Sequence, residues 1–157
     1  MTQALVVCVG NSLVADDGIG ENIYEDLRRR NLPETFRLEH VGVSGIALFD
    51  LFDSDDLFVL VDAANRGDAP GTVRVHRPAT TEFNQTALSA HDIGVGEALL
   101  LCQLLAPFRV PRHSAIVTVE GECFTELRQR LSPAVLASIP IAISRVLELV
   151  AQTGALA

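Results

Sequence analysis

The 157-residue chain contains no lysine and no tryptophan, one tyrosine and one methionine. Its 12 basic residues are therefore all arginines, and 20 acids outnumber them to give a formal net charge of −8. A chain of that sign is repelled by a phosphate backbone and by an anionic lipid surface, so neither nucleic acid nor membrane is expected as a partner. The one basic run, Arg28-Arg29-Arg30, falls where a helix is predicted to end, and there it simply favours the helix macrodipole.

Cysteine is scarce as well. Cys8, Cys102 and Cys123 are odd in number and widely spaced, with no C-x-x-C, which excludes a disulfide frame and a zinc knuckle. Such usage suits a reducing compartment, and a cytoplasmic location is expected. The apolar run Ala4 to Val9 has no basic flank and is far shorter than a membrane span. Burial in that run would keep the Cys8 thiol protonated and inert. No low-complexity tract, linker or internal repeat divides the chain, so one domain over residues 1–157 is expected. A chain of this length buries roughly 70% of its unfolded surface, enough for a real core.

What is present is an alternation of two kinds of segment. Ala4 to Val9 and Leu57 to Val61 are continuous apolar runs, the pattern of strands buried on both faces. Phe36 to Val41 and Thr72 to His76 alternate with period two, and Ser114 to Val119 reads as the last strand. Helices are predicted from about Gly18 to Arg30, Ser44 to Phe52, Ala90 to Leu105 and Pro133 to Val150, the last interrupted or bent near Pro140. The order β-α-β-α-β-β-α-β-α predicts a three-layer α/β/α sandwich around a mostly parallel, twisted five-stranded sheet. The strand from Thr72 follows its predecessor after a short loop and is expected antiparallel at an edge.

In open α/β sheets, ligands bind beyond the carboxyl ends of the strands, and three reactive side chains fall there. Asp17 lies in Gly10-Asn11-Ser12-Leu13-Val14-Ala15-Asp16-Asp17-Gly18-Ile19-Gly20, a loop between a buried strand and a helix. That loop fits neither G-x-G-x-x-G nor a G-K-[ST] ending, and its two carboxylates would repel a phosphate, which disfavours a nucleotide binder. One of the adjacent acids can cap the helix and still leave the other for a cation or a polarised water. Asp62 follows Phe58-Val59-Leu60-Val61, so its carboxylate is partly desolvated and needs a partner. His91 stands between Ser89 and Asp92, whose spacing is that of a capping box. In a helix's first turn the dipole keeps an imidazole neutral and able to ligate. His40, His76 and His113 belong to alternating strands or their ends and carry no such argument. Two carboxylates and an imidazole suit a divalent ion such as nickel, zinc, iron or manganese without selecting one, and such an ion can acidify a bound water and polarise a peptide carbonyl.

These motifs resemble those of the [NiFe]-hydrogenase maturation endopeptidases. Gly10-Asn11 through Asp16-Asp17-Gly18-Ile19-Gly20 is similar to that family's opening motif, and Gly42-Val43-Ser44-Gly45 to its second loop. Asp62-Ala63 with Pro70-Gly71-Thr72, and Ser89-Ala90-His91, resemble its third and histidine segments. The chain differs in reading Val119-Glu120-Gly121-Glu122 where the family often has Glu-Pro, and in carrying the shorter Asp17 where the first acid can be Glu. The resemblance implies an endopeptidase that removes a C-terminal extension from the hydrogenase large-subunit precursor after nickel insertion. It implies that Asp17, Asp62 and His91 sense nickel supplied by that substrate, with Asp16 as a helper or a helix cap and no organic cofactor. Two alternatives remain open from the residues: a metallohydrolase with its own bound metal, and a non-catalytic, nickel-sensing chaperone of the large subunit.

Overall fold

The computed structural model describes residues 2–42, 47–78 and 92–155, the side chains of 92–95 excepted. Its strands are β1 (Ala4–Val9), β2 (Phe36–Val41), β3 (Leu57–Ala64), β4 (Val73–His76) and β5 (His113–Glu120). Its helices are α1 (Ile19–Arg28), α2 (Leu48–Leu51), α3 (Asp92–Leu105) and α4 (Pro133–Gln152). Short 3-10 helices at Ala15–Gly18 and Pro107–Arg109 precede α1 and β5. The sheet order is β2-β1-β3-β5-β4, parallel throughout except for β4, which pairs antiparallel to β5 at the edge. Both the expected architecture and its antiparallel edge strand are observed.

Period-two alternation divides the sheet's side chains between two helical layers. Ala4, Val6 and Cys8 of β1, with Val59 and Val61 of β3, pack against Ile19, Ile23 and Leu27 of α1 and Val135, Ile143 and Val146 of α4. Leu5, Val7 and Val9, with Phe58 and Leu60, pack against Leu48 of α2 and Leu99 and Cys102 of α3. The α1 spacing of four places Ile19, Ile23 and Leu27 on one stripe. Burying each of them contributes about 1.5–3 kcal/mol. Leu99 enters the core, whereas Leu100 and Leu104 stay exposed on the outer face of α3.

Two expectations change, and a third falls on undescribed residues. The strand from Leu57 does not end on Asp62, because Ala63 and Ala64 continue the ladder opposite Val119 and Glu120 of β5. Of the interruption or bend expected near Pro140, the interruption is absent: α4 runs through Pro140 as one helix. A proline there removes one backbone donor. The apolar stripe from Val135 to Val150 holds both halves of α4 on the same sheet face. The second helix is described only from Leu48, and residues 43–46, which include Val43, Ser44 and Gly45 of the second loop motif, lie outside the described residues. By length and composition α4 could span a bilayer, but here it is a core helix with Arg145 and Glu148 paired on its outer face.

Candidate active site

The parallel strands all end at one edge of the sheet, and the described segments that follow β1, β3 and β5 meet there. Gly10 is the first residue past β1. A Cβ on it would run into the Asp17 carbonyl, and one on Gly20 would run into the Val9 carbonyl. The two glycines let the loop fold back on the strand it has just left. At Ala15 the backbone turns left-handed, with φ 42°, before entering the 3-10 helix that carries both acids. A non-glycine residue in that region is held there by its surroundings. Here the hold is external: the Ala15 N–H donates to the Arg128 carbonyl at 2.8 Å, and Val14 bridges Arg128.

The adjacent acids have different surroundings. Asp16 is fully buried, and its carboxylate accepts the Ser132 N–H at 2.7 Å, the Ser132 hydroxyl at 2.8 Å, the Glu122 N–H at 2.8 Å and the Cys123 N–H at 2.9 Å. Burial alone would raise its pKa, but these donors outweigh it and hold the carboxyl below the ordinary carboxylate value. Asp16 is thus no cap on α1, whose N-cap position is Gly18 and carries no side-chain cap. It fastens the segment after β5 and the start of α4 onto the β1 loop. Its partners lie more than 100 positions away in the chain, so no local pattern announced them. The only hints were two consecutive acids and a Ser-Pro pair at a helix start.

Asp17 is 8% exposed and accepts the Asn11 N–H at 3.0 Å, closing its loop on itself. The 3-10 helix that bears it packs against β3, the strand that bears Asp62. Asp62 is fully buried, one position past the Cys8–Val61 pairing and therefore level with the end of β1. Its Oδ1 accepts the Ala63 N–H at 2.8 Å. Parity puts Asp62 on the face of Phe58 and Leu60, the side covered by α2 and α3. α3 leads through the Pro107–Arg109 turn into the start of β5, so its first residue, Asp92, is the end remote from that lower edge. His91 precedes Asp92 directly and lies outside the described residues, as do Ser89 and Ala90. Among the described residues, no group of three His, Cys, Asp or Glu side chains could hold a metal ion.

Glu120 is a further carboxylate that the strand-end argument passed over. It is 3% exposed and accepts the Arg66 and Gly67 N–H groups at 2.7 and 2.8 Å, shaping the loop that follows β3. Beside it, the Gly121 N–H donates to the Ala64 carbonyl at 2.9 Å, a bond that a proline at this position could not make. A Cβ on Gly121 would also press into the Phe124 ring. The Gly-for-Pro difference therefore has a local structural basis.

The remaining candidates stay outside this edge group or are chemically quiet. Burial, reinforced by the Asp62 carboxylate, pushes the Cys8 thiol far above its ordinary value, so it is no nucleophile at neutral pH. His40 packs against Tyr24 at 5.6 Å between ring centroids. His76, on the outer strand, is held below its usual value by burial and then by Arg66 and Arg74.

The chain's similarities to known proteins agree with one another. The sequence pattern of the family described as hydrogenase maturation protease matches residues 22–149. The hydrogenase expression/formation protein HupD of Thiocapsa roseopersicina is 32% identical, over 99% of this chain and 71% of its own length. The hydrogenase 2 maturation protease of Escherichia coli is 30% identical, over 97% of this chain and 93% of its own. The solved structure of the Escherichia coli hydrogenase maturating endopeptidase HybD superposes with a TM-score of 0.85 at 29% identity, covering 98% of this chain and 94% of that one.

Proposed function

The chain belongs to the hydrogenase maturation protease family, and from that membership we propose that the sheet edge of Asp17 and Asp62 reads nickel on a protein substrate and cuts beside it. As an endopeptidase of this family it removes the C-terminal extension of a [NiFe]-hydrogenase large-subunit precursor. The observation that supports the mechanism is the placement of two acids at one edge. Asp17 follows β1 on a 3-10 helix packed against β3, and Asp62 lies near the end of β3 itself.

Nickel is part of the substrate in this reading and arrives already inserted in the large subunit. Asp17 and Asp62 offer carboxylate oxygens to it, and His91, just before α3, offers a neutral imidazole nitrogen. The same three residues orient the water that attacks the scissile carbonyl. Asp16 and Glu120 act indirectly. Asp16 fixes the backbone on which Asp17 stands, and Glu120 fixes the loop that leaves Asp62. The free thiols at Cys8, Cys102 and Cys123 fit a reducing compartment, and the cytoplasm is the proposed place of action.

The test is the mass of a large-subunit precursor before and after incubation with the protein, with and without nickel. Loss of a C-terminal peptide only from the nickel-loaded precursor is expected. Trimming without nickel would remove the sensing role, and a stoichiometric ion in freshly purified protein would favour a resident catalytic metal. An unchanged mass with a cognate precursor would leave a binding protein that inspects without cutting.

A further inference from the structure

An isolated parallel bridge joins Val14 to Arg128, and the residues just before them, Leu13 and Leu127, sit in the two turns that this bridge ties together, closed by Val14 N–H to the Asn11 carbonyl and Arg128 N–H to the Glu126 carbonyl. Both are large apolar side chains left in solvent, Leu13 at 55% and Leu127 at 87% exposure. Neither belongs to a flexible excursion. The Leu13 N–H donates to Asn11 Oδ1 at 3.0 Å, and Arg128 is tied to Ala15 through its carbonyl and to Ser132 through its guanidinium. Asp16 fastens both ends of the 122–132 segment.

Resting on the function proposed above, we infer that Leu13 and Leu127 form an apolar step on which the large-subunit precursor docks while its nickel-bearing end faces Asp17 and Asp62. Leu13 shares a loop with Asp17, only four positions earlier, so whatever covers the step also lies at the mouth of the proposed site. A second copy of this chain seated there would block the very edge the substrate must reach. Two leucines also cover far less than the roughly 800 Å² per partner that a stable dimer needs. They suit an anchor within a larger enzyme–substrate contact, where a few apolar residues carry much of the binding. Because the hydrogen bonds already fix both backbones, little ordering is required when the precursor arrives.

The double variant Leu13→Ser, Leu127→Ser tests this, alongside Leu13→Met, Leu127→Met. Two quantities are read with nickel-loaded precursor: its Kd by surface immobilisation, and the KM and kcat of tail removal by mass. The serine pair is expected to raise Kd and KM about tenfold with kcat within about twofold, and the methionine pair to stay near wild type. Unfolding midpoints should match wild type, since neither side chain is buried. Unchanged Kd for the serine pair overturns the docking step. So does a wild-type protein that sediments as a dimer and becomes monomeric on the serine substitutions, which would make the step a self-association face. Failure of wild type to trim a precursor that it binds through these leucines would sink the proteolytic reading alone. Failure to bind the precursor at all would remove both.

Discussion

Buried acids occur at both ends of the parallel sheet, and the two ends hold them differently. At the edge where the strands begin, Asp55 is 1% exposed and receives Arg37 Nη1 at 2.8 and 2.9 Å, while Arg37 Nη2 donates to the Leu51 carbonyl at 2.8 Å. A full positive charge meets the carboxylate, and the pair braces β2 against the α2–β3 connection. At the edge where the strands end, Asp16 takes four hydrogen bonds and Glu120 two, every one from a neutral N–H or hydroxyl. Neutral donors satisfy a buried carboxylate without cancelling its charge. One end thus uses an acid to brace the fold, and the other braces the fold while keeping negative charge near Asp17 and Asp62. The difference matters at an edge proposed to receive a metal cation.

The largest expected effect is on activity at the strand ends. Asp17→Asn or His91→Ala should bring processing of the nickel-loaded precursor below detection while the unfolding midpoint stays within a few degrees of wild type. Processing at the normal rate by either variant would move the chemistry elsewhere. Asp16→Ala should act mainly on stability. It strands buried donors on Ser132, Glu122 and Cys123, at a cost of about 4 kcal/mol, readable as a lower urea midpoint. Little change would mean that water replaces the carboxylate. At the opposite edge, Arg37→Ala leaves Asp55 buried without its cation. Because the Arg37 side chain is itself partly exposed, the loss should be about 2 kcal/mol, with processing unaffected at a temperature where the variant is folded.

The smallest effect is a pH dependence. The Asp16 carboxyl is held below its ordinary value in the folded protein. Its contribution is therefore fully present above the unfolded carboxylate pKa of about 4 and is lost as pH falls through the lower folded value. Stability should drop more steeply on acidification below about pH 4 in wild type than in Asp16→Asn. Parallel curves would show that Asp16 titrates as an ordinary carboxylate.

Much of this architecture was legible in the residues because it rests on local patterns. The apolar run Ala4 to Val9 and the alternation of Phe36 to Val41 coincide with β1 and β2 residue for residue. Asp17 and Asp62 could be chosen because a loop after a buried strand and a carboxylate after an apolar run are both local signals. The limits were equally physical. Nothing near Asp62 showed that β5 would carry the ladder on to Ala64, since that is decided by a partner strand some 50 residues away. Asp16 looked like a helix cap because helix starts commonly use acids, but the donors that claim it come from the segment after β5. The exposed pair Leu13 and Leu127 depends on the same long-range contact. In this fold, local sequence specifies the strands and helices, and the way the strand-end loops interlock has to be read from the assembled edge.

The central claim is that the strand-end edge performs the processing while the opposite edge only supports the fold. The most direct test compares Asp62→Asn with Arg37→Ala on one nickel-loaded precursor, following the precursor mass over time at a temperature where both variants are folded. The account predicts that Arg37→Ala trims the tail at the wild-type rate and that Asp62→Asn leaves the mass unchanged. Trimming by Asp62→Asn at the wild-type rate would contradict it.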